Sequence, residues 1–342
     1  MGFFGSRDIT GIDIGAGSVK FVRISGNGKH PHLVAAGLVE ISPDPAKANS
    51  ANIDLAYLKS GKKFSRKNIV TLLPGRDLTI RFLMTPKIPL VELREAVRWE
   101  AKRHISYPLE AAIVEFLILG ERREGMTEKY EVLLVVVERG TVIEHLRPFH
   151  VAGIAVSAVD ANPLALRNVV RRRDAAEAGN ILVVDMGAGK TEINILRSTG
   201  LRFSRCLATG GLDMTRAVAD RLNIGMQDAE DVKQKVDLVT SSPGDPVADA
   251  VKEKLDGILL EIRRSVEYYK STFRDQGAGM AVLTGGVALT TGIRDYFSQS
   301  LDMPVEKDNP FAGLACKESI LREVTPLAPR FTAAVGLALR KA

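Results

Sequence analysis

The chain has 342 residues, 45% hydrophobic and 26% charged, with 47 Lys and Arg against 41 Asp and Glu. These proportions exclude a disordered chain, a collagen and a coiled-coil rod, and the length suits roughly two domains of about 100–200 residues. The longest aliphatic run, residues 132–137, is far short of the roughly 20 residues of a membrane span.

Met1-Gly2-Phe3-Phe4-Gly5 leads into Arg7 and Asp8, which is not a secretory signal. Two cysteines, Cys206 and Cys316, fit a reducing compartment and build no disulfide framework. The basic stretches at 59–67 and 171–173 contain one aromatic, Phe64, so they read as solvated loop and helix ends, not as a nucleic-acid surface.

Alternation and β-branched residues predict strands over 9–14, 19–24 and 32–41, joined by Gly-rich turns. A short helix over 53–60 and a strand over 68–73 follow, ended by Pro74-Gly75. Residues 76–154 read as an inserted α+β unit. It opens with a strand over 77–84 and a helix whose one face carries Leu93, Ala96, Val97, Ala101 and His104. That helix stops before Tyr107-Pro108, because a residue preceding proline disfavours α geometry. Strands over 112–119 and 130–138 and a helix over 142–150 complete the unit.

The second half repeats the opening, with strands over 180–186, 192–197 and 201–207. Helices come next. Asp245-Pro246 supplies an N-cap and a first-turn proline for a helix whose apolar residues, from Val247 to Phe273, recur every three or four positions. A buried strand over 280–284 precedes Gly285-Gly286, and a last helix begins near Phe331.

Three glycine turns carry the chemistry. Asp13-Ile14-Gly15-Ala16-Gly17-Ser18-Val19-Lys20 and Asp185-Met186-Gly187-Ala188-Gly189-Lys190-Thr191-Glu192 share one pattern 172 positions apart, the mark of a duplicated domain. Gly-rich turns let backbone N–H groups approach phosphate oxygens. Neither turn is a dinucleotide fingerprint or a Walker loop, because each joins strand to strand instead of opening a helix. Two such hairpins, facing each other, can hold a triphosphate from both sides. Asp13 and Asp185 would act through water on Mg²⁺, and Ser18, Thr191 and Lys20 or Lys190 would contact phosphate oxygens. Gly285 and Gly286 remove side chains where an adenine ring could lie. Glu230 and Lys233, at i and i+3 on a helix, could bond a ribose or an adenine edge.

At this point the sequence resembles the actin-like ATPase superfamily. The phosphate loops are residues 13–20 and 185–191, and the adenosine motif is 284–288, which includes Val287. The first connecting helix follows Val159-Asp160-Ala161-Asn162-Pro163, and the second is 331–340. Within that superfamily it resembles the PilM family of type IV pilus machines, with FtsA as the nearest cousin. The carrying residues are Met1-Gly2-Phe3-Phe4-Gly5 before Gly11-Ile12-Asp13-Ile14-Gly15, and residues 91–107 before Pro108-Leu109-Glu110. Others are Thr209-Gly210-Gly211-Leu212-Asp213, Ala229-Glu230-Asp231-Val232-Lys233 and Asp308-Asn309-Pro310-Phe311. The chain stops at Ala342, without the linker and amphipathic helix of FtsA, which favours PilM.

The resemblance implies an α/β fold of actin-like (ribonuclease H-like) duplicated lobes around a nucleotide cleft, with an FtsA/PilM-type inserted α+β subdomain beside the first lobe. The first lobe would comprise residues 1–75, 155–178 and 331–342, and the insertion 76–154. The second lobe would comprise 179–208 and 276–330, with a helical subdomain at 209–275. The resemblance implies ATP with Mg²⁺, and adds Ala16, Ala188, Gly210 and Gly211 to the residues around it. It implies a cytoplasmic scaffold at the inner face of the inner membrane, reaching the membrane only through its partner. The N-terminal cytoplasmic tail of PilN would lie between first lobe and insertion, leading to the PilN/PilO complex, with ATP setting the lobe angle. Self-association is left open. Two other readings stand: a small-molecule kinase on the same fold, and an FtsA-like cell-division protein lacking its membrane helix. Lys190 and Glu192 occupy positions where relatives carry Thr and Asp, and no residue is assigned as a catalytic base.

Overall fold

Two sheets with one topology form the body of the protein. The computed structural model describes residues 8–26, 30–42, 68–172, 179–197 and 200–340; the helix expected over 53–60 and the basic stretch at 59–67 lie outside them. In the first sheet, β1 (Ile9–Ile14), β2 (Ser18–Ser25) and β3 (His32–Glu40) form an antiparallel meander. On the other side of β1, β4 (Ile69–Leu73) and β8 (Val156–Ala161) add in parallel. The second sheet repeats this plan. There β9 (Ile181–Met186), β10 (Thr191–Arg197) and β11 (Gly200–Leu207) form the meander. Parallel β12 (Met280–Thr284) and β13 (Val305–Lys307) complete it. The 172-residue repeat is therefore a repeat of topology, with both glycine turns at the same place in their sheets.

The inserted unit is an antiparallel sheet in the order β5 (Thr79–Pro86), β7 (Thr127–Glu138), β6 (Ala112–Glu124). Its hairpin is longer than the apolar pattern predicts, with pairing continuing to Glu124 and Thr127 around Gly125. Cross-strand ion pairs support that polar extension, among them Arg122 with Glu131 at 2.9 Å. Alternate residues of β7 face opposite ways. Val132, Leu134 and Val136 meet Leu93, Val97 and Ala101 of α1 (Leu90–Ala101). Ala96, expected on that face, is exposed. Leu133 and Val135, with Ile80, Phe82 and Leu119, pack on Leu166, Ile181 and Leu201. The inserted unit, expected beside the first lobe, thus also packs against the second through this face of its sheet.

Packing also crosses the expected boundaries at 154 and 330. Helix α2 (Arg139–Val151) buries Phe149 with Ile12, Val19 and Ile69 of the first sheet. Late in the chain, Phe311 and Leu314, with Ile320 and Val324 of α8 (Glu318–Val324), join Val22 and Leu33, and β14 (Ala315–Cys316) pairs with β3.

Helices α3 (Asn162–Val170) and α9 (Thr332–Ala338) meet between the two sheets around Val70, Leu72, Ala165, Ala333 and Leu337. They approach closely at Gly336, where a Cβ would stand 2.0 Å from the Ala165 carbonyl oxygen. Ahead of α9 the chain forms a 3₁₀ turn, Thr325–Phe331, because Pro326 and Pro329 withhold the N–H groups that an α-helix would use. Over the second sheet lie α4 (Gly211–Leu222), α5 (Met226–Lys233), α6 (Pro246–Phe273) and α7 (Ile293–Leu301). The Asp245 carboxylate caps α6, accepting from the N–H groups of Val247 and Ala248 at 2.8 and 3.1 Å, a contribution of about 1 kcal/mol. Its stripe of Val251, Leu255, Ile258, Ile262 and Val266 is buried, as the spacing predicts. Among the described residues, no helix is long and apolar enough to cross a membrane.

Candidate functional site

The two glycine turns are closed by the same bond. Gly15 N–H donates to the Ser18 carbonyl at 3.0 Å, and Gly187 N–H donates to the Lys190 carbonyl at 2.9 Å. They meet tip to tip: a Cβ on Gly17 would lie 2.8 Å from the Ala188 Cβ, and one on Gly189 would lie 3.1 Å from the Ala16 Cβ. A cleft runs beneath this contact, lined by Asp13, Gly15, Ser18, Lys20, Asn162, Asp185, Gly187, Lys190, Gly285, Gly286 and Arg330. The structure brings both turns and the third glycine pair to one cavity.

Charge is arranged differently in the two halves. Across β1 and β2, Asp13 stands opposite Lys20 and their side chains pair at 2.9 Å. The equivalent cross-strand neighbours in the second half are Asp185 and Glu192, two acids. Like charges facing each other in a sheet are costly. Burial, reinforced by Glu192, pushes the Asp185 carboxyl up to about 6. Lys190 answers with an ion pair to Glu192. Although burial works to discharge Lys190, Glu192 and Asp185 hold its ammonium above the usual lysine value. Neither lysine is therefore a bare cation pointing at phosphate; each is shared with an acid of its own turn.

Other expected contacts are taken as well. Thr191 is fully buried, and its hydroxyl donates to the Thr209 carbonyl at 2.8 Å, so it braces the turn before α4 instead of facing the cleft. Gly285 has φ +85°, and a Cβ there would lie 2.3 Å from the Met186 carbonyl oxygen. Strand packing requires that glycine. Of the pair it is Gly286 that faces open space, with nothing within 4 Å of where its Cβ would stand. Gly210 and Gly211 fit against the second turn: Gly211 N–H donates to the Gly187 carbonyl at 2.9 Å and Leu212 N–H to the Ala188 carbonyl at 2.7 Å.

Glu230 and Lys233 lie outside the residues lining the cleft, beside Gly211 and Thr215. The Lys233 ammonium donates to Glu230 at 2.7 Å, to the Thr215 hydroxyl at 2.8 Å and to the Gly211 carbonyl at 3.0 Å. Burial alone would raise the Glu230 carboxyl, but Lys233 reverses this and holds it low. Burial brings Lys233 down, with Glu230 opposing. Val287 packs against this group, its methyl 3.2 Å from where a Gly211 Cβ would be.

Asn162 and Arg330 line the cleft but were not assigned to the site from the sequence. Asn162 is almost fully buried; its amide donates to Asp185 at 2.8 Å, while its Oδ1 has no hydrogen-bond partner among the described residues. Its place directly after β8, followed by a first-turn proline, was the available signal. Arg330 donates to Glu40 at 2.6 and 2.7 Å and to the Ser18 hydroxyl at 3.1 Å. Nothing in the local pattern around Arg330 marks it, since its partners lie about three hundred positions away.

The donor set fits a hydrated magnesium–phosphate group. Two carboxylates, an unpartnered amide oxygen, two lysines and side-chain-free turns converge on one cleft, and a Mg²⁺ that keeps its waters asks for only one or two carboxylates.

Comparison with known proteins supports the same fold. The sequence profile described as type IV pilus assembly protein PilM matches residues 11–342. A solved structure, the PilM–PilN type IV pilus biogenesis complex, superposes with a TM-score of 0.81 at 28% identity, covering 97% of this chain and 98% of that one. The ethanolamine utilization protein EutJ of Carboxydothermus hydrogenoformans shares the fold at 16% identity and TM-score 0.52, covering 97% and 89%. FtsA of Neisseria meningitidis serogroup B is 26% identical over 208 residues, 54% of this chain and 48% of its own length. The chain spans about half the length of the curated FtsA relatives it matches. The fold is actin-like, two duplicated lobes around a cleft.

Proposed function

Because the chain belongs to the type IV pilus assembly protein PilM family, we propose that it is an ATP-binding scaffold of the pilus assembly platform. The observation that carries this reading is the pair of equivalent glycine turns meeting over one cleft that contains Asp13, Asp185, Lys20 and Lys190. Gly15 and Gly187 would let phosphate oxygens approach the turns, while Gly17 and Gly189 let the two turns meet; Lys20 and Lys190, each paired with an acid of its own turn, would share their charge with the phosphates. Asp13 and Asp185 would hold the waters of Mg²⁺, with Asn162 orienting Asp185. Bound Mg²⁺ would neutralise phosphate charge. Glu230, Lys233 and Val287 would flank the nucleoside end. ATP then acts as a conformational ligand that changes how the lobes meet, more than as fuel.

The partner would be the N-terminal cytoplasmic tail of PilN, and through it the PilN/PilO complex, which would bring the protein to the inner face of the inner membrane. In support, the neighbouring structure is a complex with PilN. Large exposed apolar side chains also gather on the inserted unit and α2, among them Met84, Leu90, Val91, Trp99 and Ile143. A peptide carrying that tail should be captured by this chain, to an extent that changes when Mg·ATP is added. Failure to capture the tail in both states overturns the partner; transfer of phosphate from ATP to sugars or acids overturns the scaffold reading in favour of a kinase.

The raised Asp185 carboxyl makes a pH prediction. Ionised Asp185 is the form that serves Mg²⁺, and it is lost as pH falls through about 6. The affinity advantage of the unmodified protein over Asp185→Asn, titrated by calorimetry with Mg·ATP, should shrink between pH 7.5 and pH 5, about tenfold per unit well below the midpoint. Taking the ratio cancels the nucleotide's own protonation. A ratio that is flat with pH contradicts the assignment.

A further inference from the structure

The two glycine turns share the Asp, the Gly-Ala-Gly and the closing hydrogen bond but differ in the charges that follow. The position equivalent to Lys20 is Glu192, and it does not pair within its own lobe alone. Its side chain is fully buried on β10. One carboxylate oxygen, Oε1, accepts from the Lys190 ammonium and, across the lobes, from the Gly75 N–H at 2.9 Å. The other oxygen, Oε2, has no hydrogen-bond partner among the described residues. Gly75 opens the 3₁₀ turn Gly75–Asp77, which leads into β5, the first strand of the inserted sheet. The approach is close: a Cβ on Gly75 would stand 3.1 Å from the Glu192 carboxyl carbon.

We propose that Glu192 is a positioning residue that couples the second phosphate turn to the root of the inserted unit. This rests on the nucleotide reading of the cleft. Lys190 is the ion-pair partner of this buried carboxylate, and a buried acid that loses its counter-charge is strongly disfavoured. Lys190 also lines the cleft. An anion that recruits Lys190 therefore competes with Glu192 for the same ammonium, and the carboxylate must rely more on the Gly75 N–H. A change in the cleft is thereby felt at the turn from which β5 departs. The far face of the same inserted sheet rests on the second lobe through Phe82, Leu119 and Leu133. The unit is thus held by the second lobe at its root and along its face, which gives the root contact leverage over its orientation.

The test is hydrogen exchange across residues 75–86 in the full chain, with and without Mg·ATP, with calorimetry on the same samples. In the unmodified protein, Mg·ATP should change exchange in this segment. Glu192→Gln keeps an acceptor for Gly75 but gives up the charge that Lys190 shares, so it should retain unliganded protection and lose most of the nucleotide response. Glu192→Ala removes both partners, and unliganded exchange at Gly75 should rise about tenfold. Gly75→Ala, which crowds the carboxyl from the side of the first lobe, should blunt the response too and serves if Glu192→Ala does not fold. Variants that bind Mg·ATP and respond like the unmodified protein overturn the coupling while leaving the nucleotide reading standing. Absence of Mg·ATP binding to the unmodified protein overturns the nucleotide reading, and this coupling with it.

Discussion

Asp185→Ala should weaken Mg·ATP binding by at least about tenfold, or about 1.4 kcal/mol, in a calorimetric titration. Asp13→Ala should do the same while Mg²⁺ is present, but the two variants should part when it is removed. Asp13 pairs with Lys20 at 2.9 Å, so its loss frees an ammonium that lines the cleft. In excess chelator, Asp13→Ala should therefore bind nucleotide at least as well as the unmodified protein. Asp185 has no such partner to release, because Lys190 pairs with Glu192 and Asp185 is held by the neutral Asn162. Its loss should bring no comparable gain. Unchanged Mg·ATP affinity in both variants would remove the paired turns as the site.

The second large effect concerns the helices between the lobes. Replacing glycine by alanine in the middle of a helix gains about 1 kcal/mol from propensity alone. At Gly336 the new methyl would overlap the Ala165 carbonyl oxygen, 2.0 Å away, and backbone cannot yield as a side-chain tip can. Overpacking costs about 1–3 kcal/mol, and a backbone obstacle puts this site at the upper end of that range, so after the propensity gain the net effect is destabilising by up to about 2 kcal/mol. Gly257 in α6 is the control: it lies in the same kind of helix interior, with nothing within 4 Å of its missing Cβ. Gly257→Ala should stabilise. Urea midpoints that shift in opposite directions bear this out; a Gly336→Ala protein as stable as the parent contradicts it. The same helix α9 lies on Gly11 of β1, where a Cβ would be 2.2 Å from the Ala334 carbonyl oxygen, so the α9 packing depends on two glycines 325 positions apart.

Much of this protein could be read from local pattern. The two turns, the strands on either side of them and the long helix α6 are each specified within a window of ten to thirty residues, by turn chemistry, alternation or a three-to-four spacing. The repeat of Asp-x-Gly-Ala-Gly then implied two equivalent lobes, and the structure shows two sheets of one topology. Window-sized signals failed where structure departs from the rule for a non-local reason. The β6–β7 hairpin stays paired through charged residues because their partners are across the ladder. The two-residue strand β14 exists because β3 offers an open edge.

The elements, the duplication and the residue types that converge on the cleft were legible in the chain because those properties reside in spacing along it. That spacing could not say which side chain each of those residues would meet. Lys20 went to Asp13, Thr191 to Thr209, Arg330 to Ser18 and Glu40, and Glu192 to Gly75, 117 positions away. Tertiary structure decided these, together with the seating of the inserted sheet on the second lobe. A buried polar group takes whichever partner the packed faces bring within about 3 Å, and which faces pack is a property of the whole chain.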